Sequence, residues 1–342
     1  MRNQLILIIL AAVAGPAAAQ RADGEASHRH SPDGELERRV WMMGTVLTAQ
    51  VAGNRAVAAA ATEAAFAAVQ DIDGLLSTWI AESEISGFNH SPIGTPVALS
   101  PALDALLSPA FLLADSTGRA FDPTVGPLDD AWDLRGAGRI PDLSALRDAL
   151  AATGAEGVTD GGGVLIRRHP AAWIDTDGFG KGAALRAAAT ALAAHGVTSA
   201  LLNFGGQVLA IGSAADGDAW EIPVADPRDR GRPAATLRLR DRSASTSSQS
   251  ERGVLVAGTW YGHVLDPRSG RPVPPWGSVT VVHADPLSAD ALSTALFVMG
   301  PDHGLPWAEA HGVAALFLID TPAGLIARTT TGLAGLVAGA LP

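Results

Sequence analysis

The sequence predicts an α+β protein, and three observations carry that reading. Apolar residues make up 47% of the 342 residues and charged residues 17%, so a sizeable core can form. Alanine-rich stretches with helical spacing and short strand-like runs are both present. They follow one another without a regular strand–helix–strand rhythm, which points to α+β rather than a doubly wound parallel sheet.

The chain opens with "MRNQLILIILAAVAGPAAAQ". Arg2, the apolar run Leu5–Ala14 and the small residues Ala17–Ala19 form the pattern of a secretory signal peptide, with cleavage expected after Ala19. The run is short for a membrane span, and an uncleaved signal anchor is the alternative. Residues 20–36 are polar and turn-rich and read as a flexible leader, which leaves residues 37–342 for the folded domain.

Trp41–Gly53 alternates in the manner of a strand. In Ala56–Ser77, Val57, Ala61, Ala64, Ala68, Ile72 and Leu75 recur at helical spacing. "SPALDALLSPAFLLADSTG" predicts two helical pieces broken at Pro109, and "DLSALRDALAATG" a helix ending at Gly154. "GVLIRRHPAAWIDTD" reads as a hairpin of strands. "GKGAALRAAATALAAHG" is a long helix stopped by Gly196, and "SALLNFGG" and "QVLAIG" are strands around Gly205–Gly206. "DAWEIPVADP", "ATLRLRDRSAST", "GHVLDP" and "SVTVVHA" are strand-like, and "SADALSTALFVMG" is a buried helix.

That last helix carries an oddity. Asp290 and Thr294 sit four residues apart, on one face, among Ala291, Leu292, Ala295, Leu296 and Val298. They fit a helix start, with Ser288 as N-cap and Asp290 favoured by the dipole. That reading leads from this segment alone; the sharper alternative is a site for a hard cation, which takes oxygen ligands.

Composition narrows the chemistry. A net charge of −11 lacks the basic footprint that nucleic acid requires. There are no cysteines, which excludes disulfides, thiolate nucleophiles, Cys-ligated zinc, iron–sulfur clusters and a lipid anchor on cysteine. Five stretches stand out, each weak alone. "AFDPTVGPL" (Ala120–Leu128) is a stiff loop. "IDTDGFGKG" (Ile174–Gly182) brings acids, glycines and Lys181 to the start of a helix, without the spacing of a P-loop. "NFGG" ends a strand in glycines. "STSSQSERG" is hydroxyl-rich and reads equally as an exposed loop. "GHVLDPRSG" carries His263 before a turn.

In this order, together with "MGT" (Met43–Thr45) and "STWIAESEIS" (Ser77–Ser86), these stretches resemble the ApbE family of FAD:protein FMN transferases. The resemblance runs over nearly all of the chain beyond the signal segment. It implies mixed sheets with packed helices and a FAD cleft between two closely associated halves. It also implies a Mg²⁺ site at Asp290, Thr294 and the Gly178 backbone oxygen. FAD contacts are implied at Met43, Trp79, Ala120, Phe121, Asp122, Asp175 and Lys181, and a catalytic part at His263, Asp290 and Thr294. The implied reaction moves FMN from FAD to a Ser or Thr of another protein and releases AMP. The expected partner is an acceptor redox protein associated with a membrane, and the expected location is the periplasm or another exported compartment. A Mg²⁺-dependent FAD pyrophosphatase and a flavin-binding protein without turnover are the alternatives. Asp177, Gly180, Ser248 and Gln249 depart from the family's usual residues.

Overall fold

The computed structural model describes residues 27–30, 35–250 and 252–342. The expected signal segment, 1–19, lies outside the described residues. The expected leader, 20–36, lies partly outside them. Within it, Ser27–His30 pairs antiparallel with Glu35–Met42, and Leu36 is buried, so these residues belong to the sheet and not to a leader.

Seven helices are described: α1 (Arg55–Leu76), α2 (Glu84–Asn89), α3 (Pro101–Ser116), α4 (Gly126–Trp132), α5 (Leu143–Ala151), α6 (Gly180–Ala194) and α7 (Pro286–Ala310). The main sheet has nine strands. From edge to edge they are Ser27–His30, Glu35–Met42, Thr45–Ala52, Ala200–Phe204, Gln207–Ile211, Arg242–Ser248, Gly277–His283, Ala314–Thr321 and Gly324–Thr329. Every neighbouring pair is antiparallel, in keeping with an α+β fold.

The sheet is covered on both faces, and side-chain alternation shows how. In the 314–321 strand, Ala315 and Phe317 join the core beneath the helices, with Leu47, Leu202, Val279, Leu292 and Leu296. Ala314, Leu316 and Leu318 join a second core on the opposite face, with Trp220, Ile222, Val224, Leu237 and Leu239. That second core is closed by a three-stranded sheet of Trp220–Asp226, Asp229–Leu239 and Val337–Ala338. Period-two alternation thus supplies two cores from one strand.

Several expectations need correction. α3 runs through Pro109 unbroken. A proline removes only one intrahelical bond, to the residue four back. Here that residue is Ala105, on the exposed face of the helix. The hairpin expected over 163–177 is half strand: Val164–Arg167 pairs with Val158–Asp160 and Pro96–Ala98, and 173–177 is loop. The backbone of that loop is satisfied elsewhere. Ile174 N–H donates to Asn89 Oδ1 (2.8 Å), Ile174 C=O accepts from Asn89 Nδ2 (3.0 Å), and Asp175 N–H donates to Pro123 O (2.7 Å). The strand expected over 235–246 is two strands in different sheets, turned at Asp241, whose φ is 52°. The last helix is capped by Asp285, not Ser288, and is interrupted at Gly300 (φ 70°, ψ 172°).

Candidate active site

Asp290 sits in the second turn of α7, facing the start of α6 and the 242–248 strand. Its carboxylate is 3% exposed. Oδ2 accepts from Gly182 N–H at 3.0 Å, Oδ1 accepts from Ser245 Oγ at 3.2 Å, and Lys181 Nζ lies 3.4 Å from Oδ1. Burial pushes its pKa up, and Lys181 and the Gly182 amide pull it back. The helices come close enough for this because residue 182 is glycine. A Cβ there would stand 2.3 Å from Pro286 O and 2.6 Å from Leu287 Cα.

Thr294 lies one turn on, its Oγ1 directed back to Asp290 O at 3.4 Å. A Cβ placed on Gly178 would lie 3.8 Å from that hydroxyl oxygen, so the glycine loop faces Thr294. The same Cβ would meet Phe121 at 3.0 Å, and Phe121 in turn packs edge-on to Phe179 (6.3 Å, 86°). Phe121 therefore supports the loop from below. Met43 occupies a tight turn with φ 44°, and its methyl lies 3.7 Å from where a Cβ of Gly180 would be.

Asp290, Thr294 and the Gly178 loop offer one carboxylate and neutral oxygens. No group of three or more His, Cys, Asp or Glu suited to a metal occurs among the described residues. A cation here must complete its shell with neutral oxygens and the oxygens of a ligand. That suits Mg²⁺, which keeps few protein ligands and shares the rest with phosphates.

Asp175 is buried at 4% exposure, pairs with Arg135 Nη2 at 3.0 Å and accepts from Asp177 N–H at 2.9 Å. Its charge is the main cause raising the pKa of Asp177. Burial first, and Asp175 second, push Asp129 well above the usual carboxylate range. Trp79 is 72% exposed, with the Arg135 guanidinium 4.9 Å from its ring centroid.

His263 is half-buried. Its Nδ1 lies 3.1 Å from Arg252 O, a pure acceptor, so Nδ1 carries the proton and Nε2 keeps its lone pair. Burial pushes the imidazole pKa down to about 4; the hydrogen bond to the Arg252 carbonyl and the Asp175 charge oppose it, and the Arg252 and Lys181 charges add to it.

The Ala120–Phe121–Asp122 run is buried. Asp122 spends its carboxylate internally, accepting from Thr124 N–H (2.9 Å) and Oγ1 (2.6 Å) and pairing with Arg119 (3.1 Å). Its side chain holds the loop in shape. Other residues at the site escaped sequence reasoning: Ser293, Arg135 and Trp173. Ser243 and Ser245 are buried in a central strand that runs to Ser248, so the start of the stretch Ser245–Gly253, which could have been only an exposed loop, is strand. Ser247 Oγ meets Ser293 Oγ at 2.9 Å, stitching strand to α7. The period-two spacing of Ser243, Ser245 and Ser247 was the available signal.

Comparison with known proteins identifies the family and the fold. The ApbE family profile matches residues 43–317. The FAD:protein FMN transferase of Vibrio cholerae is 30% identical over 261 residues, spanning 75% of this chain and 78% of that protein. That of Treponema pallidum is 31% identical over 307 residues, 83% of this chain and 84% of that protein. Among solved structures, the flavin transferase ApbE from Vibrio cholerae has a TM-score of 0.78 at 26% identity, covering 92% of this chain and 99% of that one. The apo form of the Pseudomonas stutzeri flavinyl transferase ApbE gives 0.79 at 28% identity, covering 94% and 100%. With the family profile matched over most of its length and the same fold in the solved relatives, the chain belongs to the ApbE family.

Proposed function

We propose that the protein transfers FMN from FAD to a Ser or Thr hydroxyl of an acceptor protein, with Mg²⁺, releasing AMP. The observation that carries the reading is the Asp290 carboxylate, buried yet held by Gly182 N–H, Ser245 Oγ and Lys181, with the Thr294 hydroxyl beside the Gly178 loop. The names of the relatives support the flavin chemistry.

The reaction forms a bond from the acceptor oxygen to the FMN phosphorus and breaks the pyrophosphate P–O bond, so AMP leaves with the bridging oxygen. Asp290, Thr294 and the Gly178 carbonyl would hold Mg²⁺, which when bound offsets negative charge on the pyrophosphate and on the leaving AMP. Lys181 adds a positive charge at the same place. His263 Nε2, unprotonated near neutral pH, takes the acceptor's hydroxyl proton. Gly182 N–H and Ser245 fix the Asp290 rotamer.

The signal-like segment at 1–19 supports action in the periplasm or another exported compartment on a membrane-associated redox protein. No described helix is long and apolar enough to cross a membrane.

The test is incubation with FAD and Mg²⁺, with and without a peptide bearing an acceptor Ser or Thr. An FMN mass increment on the peptide with matching AMP is the expected result. AMP and free FMN without labelled peptide would make the protein a pyrophosphatase, and no AMP a flavin binder.

A further inference from the structure

We propose that Arg135 is a positioning residue for FAD, holding the Trp79 indole as a platform for a planar ring and tying that platform to Asp175. The inference rests on the reading that FAD binds at this site. Arg135 follows α4, and its guanidinium carbon lies 4.9 Å from the Trp79 ring centroid and 4.7 Å from that of Trp173. It thus lies over both indole rings, a contact that suits a planar, weakly hydrated cation. Nη1 donates to Thr78 Oγ1 at 2.9 Å and Nη2 to Asp175 Oδ2 at 3.0 Å.

The stack has a floor. The Trp173 ring lies against Gly126, where a Cβ would stand 2.3 Å from two ring carbons. Trp173 Nε1 donates to Asp130 Oδ2 at 2.8 Å. Gly126 meets the Trp173 ring, and Arg135 reaches both Trp173 and Trp79. Trp173 and Arg135 are each fixed by a hydrogen bond or a close backbone contact. Asp175, Asp177 and Asp129 outweigh burial and keep the guanidinium firmly charged.

Trp79 itself is 72% exposed although Arg135 covers part of it. With Arg135 on one face, that exposure leaves the other face open to a ligand. An indole so exposed has rotamer freedom to lose when a ring stacks on it. Arg135 removes that freedom beforehand, and through Asp175 it links two of the residues expected to touch FAD. Its action is on ground-state placement of the ring.

The experiment compares full-length wild type, Arg135→Met, Arg135→Lys, Trp79→Ala and the double variant Arg135→Met/Trp79→Ala. Flavin-fluorescence titration gives the FAD Kd, and AMP release gives KM and kcat. Arg135→Met is expected to raise Kd and KM about tenfold, with kcat nearly kept. Arg135→Lys restores much of the affinity, because an ammonium still sits over the ring. In the Trp79→Ala background the Arg135→Met effect disappears. Unchanged Kd in Arg135→Met, or an equal effect with and without Trp79, overturns the proposal. Should Arg135→Met not fold, Arg135→Gln, alone and combined with Trp79→Ala, closes the same cycle without the charge. The titration reads FAD binding whether or not transfer occurs, so a failed transferase assay leaves this test standing.

Discussion

Gln249 holds Val264 by both of its backbone groups: Oε1 accepts from Val264 N–H at 3.0 Å and Nε2 donates to Val264 C=O at 2.7 Å. Nε2 also donates to Val273 C=O at 2.9 Å, and the side chain is 2% exposed. Val264 follows His263, so this amide fixes the segment that presents the imidazole. Gln249→Ala removes three hydrogen bonds and leaves Val264 N–H and Val273 C=O without this partner, while Val264 C=O keeps Val273 N–H at 2.9 Å. The expected loss is about 2–4 kcal/mol of stability, read from urea unfolding, with FMN transfer reduced and FAD affinity nearly kept. Gln249→Glu, which has no donor when ionised, is expected to behave alike. An unmoved unfolding midpoint in both would remove Gln249 from this role.

A second prediction concerns pH. The folded-state pKa of His263 is depressed to about 4, chiefly by burial. The unprotonated Nε2 is therefore present above that pH and lost as pH falls through it. Transfer that depends on His263 should be level from about pH 8 to about pH 5.5, not falling near the ordinary imidazole value of about 6.5. His263→Ala should lower transfer by about two to four orders of magnitude and abolish the acidic limb. A wild-type limb centred near the ordinary value would show a solvated imidazole.

A third prediction separates stability from activity at Asp290. Its carboxylate is buried and its pKa raised by that burial, so ionisation there costs folding energy. Asp290→Asn keeps an oxygen for Gly182 N–H and removes the charge. The thermal midpoint should hold or rise while Mg²⁺-dependent turnover falls about a hundredfold or more, the scale of several kcal/mol. Full turnover at low Mg²⁺ would dismiss the metal assignment.

Gly182→Ala tests the helix crossing. Its Cβ would overlap Pro286 O and Leu287 Cα, so α6 and α7 must part. Destabilisation of about 1–3 kcal/mol is expected, with weaker Mg²⁺ binding by calorimetry because the amide leaves Asp290 Oδ2. Wild-type Mg²⁺ affinity in a folded variant would separate the crossing from the site.

The sequence made some of this site legible and hid the rest for physical reasons. Asp290 and Thr294 were conspicuous because polar residues interrupt an apolar helix face, and the Gly178 loop because glycines and acids precede a helix. Arg135 gave no such signal. Its partners Thr78 and Asp175 lie 57 and 40 residues away in the chain, and only the fold brings them together. Gln249 was visible as a departure from the family's usual residue, yet its clamp on Val264 is a tertiary fact. The helices α1 and α6 follow their periodicity, whereas α3 passes Pro109 because one lost hydrogen bond at an exposed face is tolerated. The 242–248 strand was merged with its predecessor because residue type alone does not say which sheet a strand joins.

The alternation in the 314–321 strand has a consequence for how this protein melts and changes. Ala315 and Phe317 serve one core while Leu316 and Leu318 serve the other, so neither core survives if that strand leaves the sheet. The two faces are mechanically one cooperative unit, and a heating curve should show a single transition followed alike by tryptophans on either side, Trp220 and Trp276. Inserting one residue before Ala315 would exchange the contents of the two cores, pushing a phenylalanine where leucine belongs. Length changes should therefore be tolerated in the turns on either side of this strand and not within it, where a substitution must suit its own face.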